Sequence, residues 1–130
     1  MAQAQKKEKT ESSAFLKALK DTEEIELTVV DRTGRKTTRL VWFVHEGKTL
    51  YLLPVKGSQT KWYKTVLENP EITLSAEGQR ITKKDTPISD RAKVKEVIDK
   101  FRAKYGEANV KQYYTIFDAA VTVPLAQSVR

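Results

Sequence analysis

The residues best suited to chemistry cluster in PVKGSQTKWYKTVLENP, residues 54–70. Lys56, Gly57 and Ser58 precede an amphipathic pattern that stops at Asn69-Pro70. Ser58 reads as a helix N-cap, which makes Gln59, Thr60 and Lys61 the first turn, with free backbone N–H groups. A capping box would place glutamate at position 61. The chain has Lys61 there, with Lys56 and Lys64 nearby and no acid between residue 56 and Glu68. Glycine, a hydroxyl and lysines at a helix start suit a phosphate group. The same residues also make a plain capped turn with solvated lysines, and spacing alone leaves both open.

Other candidates stand outside this stretch. Arg39 precedes an apolar run on the same side as Val41 and Phe43. It can meet an anionic ligand there or end the strand in solvent. Trp62 with Val66 and Tyr63 with Leu67 form i, i+4 pairs, the pattern of a core-facing helix rather than a stacking platform. Tyr113 and Tyr114 suit either a pocket wall or packing against the sheet. His45 is the only histidine and the chain has no cysteine, so His45 reads as a strand-end residue and no metal site is expected. GxSxG, HExxH, P-loop and GxGxxG patterns are all absent, which leaves hydrolase and nucleotide-kinase chemistry without support.

These residues need a scaffold, and hydropathy patterning supplies one. Residues 1–11 are polar and are expected to be a disordered tail, with a single domain over 12–130. Ser12 or Ser13 can cap a short helix carrying Phe15, Leu16 and Leu19 on one face. Ile25, Leu27 and Val29 alternate with polar residues, as in a half-buried strand. Asp31-Arg32-Thr33-Gly34-Arg35 is a turn. KTTRLVWFVH and TLYLLPV form a hairpin around Gly47. Both are apolar on both faces, so a second element, a subunit or a ligand must cover the outer one. A second hairpin turns at Glu77-Gly78. Val94, Val97, Ile98, Phe101 and Tyr105 form the stripe of the longest helix, capped by Ser89 or Asp90 and ended by Gly106. An aromatic-rich turn or helix follows, then a last strand with Val121, Val123 and Leu125. The expected fold is α+β, mainly β: a six-stranded antiparallel barrel with flanking helices.

The net charge of +7, from 24 Lys+Arg against 17 Asp+Glu, favours anionic partners or simple solubility. No apolar run approaches the ~20 residues that span a bilayer, and no signal-peptide core precedes the first helix, so no membrane association and a cytoplasmic location are expected.

The run TGRKTTRLVWFVHEGKTLYLLPVKGSQTKWYKTVLENPEITL resembles the split β-barrel proteins related to pyridoxamine-phosphate oxidase, and most closely their deazaflavin-dependent, nitroreductase-like branch. The likeness covers roughly residues 24–77, as an ordered set: the TGR turn, a Trp-Phe strand, a Gly-Ser loop, a Trp-Tyr helix ending in Asn-Pro, and a following strand. It implies a homodimer that binds FMN or coenzyme F-420 across its interface and transfers hydride to a small organic substrate. The ring would lie against Arg39, Val41 and Trp42, and the phosphate against Lys56, Gly57, Ser58 and Lys61. Trp62 would fall near the cofactor, and Tyr113 or Tyr114 on the substrate side. No side chain need act as an obligatory acid or base. Leu40 stands where many relatives carry proline beside the ring. The rival readings are a cofactor-binding protein of the same fold without turnover, and an OB-type barrel binding nucleic acid. Trp62 and Tyr63 on a helix rather than on strand faces argue against the second.

Overall fold

The computed structural model describes residues 14–125. The expected Ser12 or Ser13 cap and the 1–11 tail lie outside them. Helix α1, over residues 14–19, buries Phe15, Ala18 and Leu19. Strand β1 (Glu24–Val30) follows with its alternation intact: Ile25, Leu27 and Val29 are buried, Glu24 and Glu26 exposed. The Asp31 carboxylate accepts from the N–H groups of Thr33 and Arg35 and from the Thr33 hydroxyl, closing the turn into β2 (Lys36–Glu46). The two residues Gly47 and Lys48 then connect β2 to β3 (Thr49–Leu52).

A 3-10 turn (Gly57–Gln59) leads into α2 (Lys61–Glu68). Strands β4 (Glu71–Ala76) and β5 (Gln79–Lys84) join through Glu77 and Gly78, with φ of 51° and 81°. Two successive positive φ values match the right-handed twist of a tight hairpin. Then come β6 (Thr86–Ile88), α3 (Arg91–Tyr105), α4 (Glu107–Tyr113) and β7 (Ala120–Pro124). Asp90 caps α3 by accepting from the Lys93 N–H, and Gly106 ends it at φ 95°.

The strands form one antiparallel sheet in the order β5-β4-β1-β2-β3-β7-β6. There are seven strands rather than the expected six. The addition is β6, which follows β5 after one residue yet pairs with β7, Pro87 facing Val121. A three-residue strand with a central proline carries no alternation to read, and proline is tolerated because β6 is an edge.

Strand β2 is where the barrel splits. Residues Lys36 to Trp42 pair with β1, while Phe43 to Glu46 pair with β3. One long strand therefore belongs to two ladders, and the sheet curls around it.

The split creates two cores. Inside the curl, Leu27, Phe43, Leu52, Ile72, Leu74, Val121 and Val123 pack with Phe15, Trp62, Tyr63 and Val66 from α1 and α2. Outside it, Val94, Val97, Ile98 and Phe101 of α3 and Val110 of α4 cover Val44 and Leu53. The outer apolar face of β2 and β3, expected to need a second element, a subunit or a ligand over it, is thus covered in large part by the chain's own helices. The stripe of α3 was legible, but nothing local said which strand face it would meet. Trp62 and Tyr63 are both buried, which removes the stacking surface an OB-type barrel would present.

Candidate functional site

Helix α2 starts later than its sequence suggests. Ser58 lies in the 3-10 turn, and Thr60 occupies the N-cap position. The Thr60 hydroxyl accepts from the Lys56 N–H at 2.7 Å rather than from the helix. The first intrahelical bond runs from the Lys64 N–H to the Thr60 carbonyl, at 3.1 Å. The N–H groups of Lys61, Trp62 and Tyr63 are left without an intrahelical acceptor, at the positive end of the helix dipole.

Ser58 is committed elsewhere. Its N–H donates to Asp118 Oδ1 and its hydroxyl to Asp118 Oδ2, both at 2.7 Å. These bonds, the hydroxyl's first, hold the Asp118 carboxyl below the usual carboxylate range. Gly57 has φ 54°, and a Cβ there would overlap Asp118 Oδ1 and lie 2.8 Å from Ile116 Cγ2. The acid missing from the helix start is therefore supplied from sixty residues away. No signal around Asp118 announces this, because the segment that carries it has no periodic pattern.

Beside this loop opens a cleft of about 770 Å³. It gathers Arg39, Val41 and Trp42 from β2, Lys56, Lys61 and Trp62 from the loop and α2, and Tyr113 and Tyr114 from the end of α4. Gly57 and Ser58 are not among its lining residues. Residues that sequence reasoning did not assign to it include Glu24, Leu53 and Val55. Glu24 had a findable signal, since it pairs directly across from Trp42 in the β1–β2 ladder.

The cleft is polarised. Arg39, Lys56 and Lys61 face it, with Glu24 as the only carboxylate among the described residues that line it. Its other wall is aromatic. Trp42 stacks on Tyr105 with ring centroids 4.2 Å apart and 7° between planes. Tyr113 meets the Trp42 ring edge-on at 5.5 Å, and Tyr114 lies tilted at 5.9 Å. Burial pushes the Tyr114 phenol well above its ordinary value, so it stays protonated. Tyr113 is half exposed and stands at the cleft mouth.

Backbone groups at the ladder handover support this wall. The Phe43 N–H donates to Tyr105 Oη at 3.1 Å, and the Phe43 carbonyl accepts from Lys104 Nζ at 2.8 Å. The Tyr105 hydroxyl has one proton to give. Two carbonyls are in reach of it, Glu23 at 2.8 Å and Phe43 at 2.9 Å. Desolvation by burial raises the Tyr105 phenol to about 12.

His45 lies apart from the cleft, its Nε2 2.9 Å from the Gly47 carbonyl. Among the described residues no group of three or more His, Asp or Glu is placed to hold a metal ion. None of the described helices is long and apolar enough to cross a membrane.

A family model described as "Uncharacterized protein conserved in bacteria (DUF2255)" matches residues 15–125. No curated protein matches. Among solved structures, HutZ, the haem storage protein of Vibrio cholerae, superposes with a TM-score of 0.67 at 13% identity, over 89% of this chain and 90% of that one. A NimC/NimA family protein from Clostridium acetobutylicum gives 0.64 at 16% identity, over 88% and 80%. An F-420-H2-dependent reductase gives 0.61 at 14% identity, over 78% and 93%. At these identities the likeness is one of fold, that of the pyridoxamine 5'-phosphate oxidase-like split barrels.

Proposed function

This chain belongs to the DUF2255 family of bacterial proteins, and we propose that it binds a phosphorylated flavin-type cofactor, FMN or coenzyme F-420, for hydride exchange with a small organic substrate. One observation carries the reading: a single cleft sets Arg39, Lys56 and Lys61 against a wall of Trp42, Tyr113 and Tyr114. Cations and free helix N–H groups suit a phosphate, and aromatic faces suit a planar ring. The structural likeness to an F-420-H2-dependent reductase adds support.

The donor set also discriminates between cofactor classes. HutZ shares the fold and stores haem. Among the described residues that line the cleft there is no imidazole, thiolate or thioether for haem iron, and of the tyrosines, the other side chain that ligates it, Tyr114 is held protonated by burial and Tyr113 stands at the mouth. An organic, phosphorylated ring fits the residues present better than haem does.

When bound, a flavin or deazaflavin supplies the hydride chemistry. Lys56 and Lys61 fix its phosphate beside the start of α2, and Arg39 adds a third positive charge. Trp42, braced by Tyr105, sets the plane of the ring wall. Tyr113 and Tyr114 narrow the opposite side and exclude water. A second reading, cofactor binding without turnover, is supported by the likeness of fold to HutZ, a storage protein.

We also take the chain to act as a homodimer. Residues Lys36 to Trp42 of β2 pair with β1 on one side, while β3 reaches only Phe43 to Glu46, so the other edge has no strand partner among the described residues. Leu40 on that stretch is 60% exposed and borders the cleft. A second copy placed there would cover Leu40 and close the ring site.

The test is fluorescence titration of the purified protein with FMN and with F-420, followed by turnover assays with the tighter ligand. Saturable binding of either supports the reading, and turnover separates enzyme from carrier. If neither cofactor binds, the proposal fails.

A further inference from the structure

Gly57 and Ser58 have the composition of a phosphate loop, yet a carboxylate of the same chain fills it. Both oxygens of Asp118 are engaged by Ser58, at 2.7 Å each, through the N–H and the hydroxyl that would otherwise grip a phosphoryl oxygen. The carboxylate lies against the Gly57 backbone so closely that no Cβ would fit between them. Its segment is fastened to the same loop twice more. The Thr115 N–H donates to the Val55 carbonyl at 2.9 Å, and Ile116 forms a parallel bridge with Lys56. Asp118 is thus tethered in place, and a tethered group competes at high effective concentration against any ligand in solution. An incoming phosphate would also meet it as a like charge.

We infer that Asp118 is a resident anion that occupies the Gly57–Ser58 loop in place of a phosphate group. It confines the anionic end of the cleft's ligand to Lys56, Lys61, Arg39 and the start of α2. Asp118 is then a specificity-determining residue: it keeps a second anionic group out of the loop beside the site. This rests on the phosphate-binding reading of the cleft for its consequence, though not for the occupancy of the loop itself.

Inorganic phosphate is the probe, followed by amide NMR of the full chain. In the wild type, the Ser58 amide is expected to stay unmoved as phosphate is added. In Asp118→Ala, the Gly57 and Ser58 amides are expected to shift saturably. A saturable shift of Ser58 in the wild type, or its absence in a well-dispersed spectrum of Asp118→Ala, overturns the inference. In parallel, Ser58→Ala is expected to change the FMN dissociation constant less than about twofold, whereas a loss of about tenfold would place Ser58 on the ligand phosphate and sink the idea. Should Asp118→Ala fail to fold, the wild-type titration and Ser58→Ala decide. Should no flavin bind at all, the cofactor reading fails while the phosphate titration still decides the state of the loop.

Discussion

The rings of Trp42 and Tyr105 lie parallel, 4.2 Å apart, where β2 leaves one ladder and joins another. The stack ties the cleft wall to α3, and the same tyrosine satisfies the backbone at the handover, accepting from the Phe43 N–H and donating to the Glu23 or the Phe43 carbonyl. Tyr105→Phe keeps the stack and removes both hydrogen bonds. The variant is expected to lose about 1–3 kcal/mol in urea denaturation, the cost of stranding half-buried backbone groups. A loss indistinguishable from zero would mean that water replaces the hydroxyl without penalty.

Asp85 is buried, and neither carboxylate oxygen has a hydrogen-bond partner among the described residues. Burial pushes its carboxyl up to about 7, and the Tyr63 phenol is raised by its own burial first, with smaller contributions from Asp118 and Asp85. A folded-state value above the unfolded one means that ionisation opposes folding. The penalty is absent where both states are protonated, below about pH 4, grows through the interval to pH 7, and is constant above it. Asp85→Asn should therefore stabilise the fold by roughly 1–3 kcal/mol at pH 8 and progressively less toward pH 4. Denaturation midpoints of the two proteins across that range check it, and a pH-independent difference would count against the titration.

If Lys56 and Lys61 hold a phosphate, their loss should fall on phosphorylated ligands alone. Lys56→Ala with Lys61→Ala is expected to weaken FMN by about tenfold or more, while riboflavin changes less than about twofold. Fluorescence titration with both ligands reads the difference. Equal effects on the two would assign the lysines to general folding or charge rather than to phosphate.

Leu40 is exposed on the unpaired edge of β2. Placing a charge there opposes burial against a second copy at little cost to the protomer, since an exposed position tolerates substitution within about 0.5 kcal/mol. If the proposed dimer forms through this edge, Leu40→Lys should sediment as a monomer and the wild type as a dimer, with a protomer fold unchanged by circular dichroism. Identical sedimentation of the two would remove this edge from the interface.

Phe101 is fully buried between α3 and the outer face of β2 and β3, and its ring packs against Tyr105 and Tyr114 at centroid distances of 5.9 and 6.1 Å. Phe101→Ala should cost about 3–5 kcal/mol. Because the cavity lies behind Tyr114 and the Trp42 stack, cofactor affinity should fall even in conditions where the fold survives. Full retention of affinity in a folded variant would show that the cleft wall does not depend on the outer core.

Whatever rests on a few consecutive residues could be read directly. The alternation of Ile25, Leu27 and Val29 gave β1, and the stripe from Val94 to Phe101 with its Asp90 cap gave α3, because burial period and capping are local chemistry. The Glu77-Gly78 turn was visible for the same reason. Eight of the ten anticipated site residues also meet in one cleft, because the TGR turn and the Gly47 hairpin fix the register that carries Arg39 and Trp42 toward Lys56 and Lys61.

What the sequence could not decide depends on pairs far apart in the chain. Ser58 looked like a helix cap until Asp118, sixty residues on, claimed both its hydrogen-bonding groups. The outer face of β2 looked vacant until α3 packed on it, and β6 could not be seen because its three residues gain strand character only from β7. Local patterning determines which segments are helix or strand and which face is apolar. Tertiary packing alone determines which polar group finds which partner. A buried donor must be satisfied, and the chain can supply its acceptor from any distance.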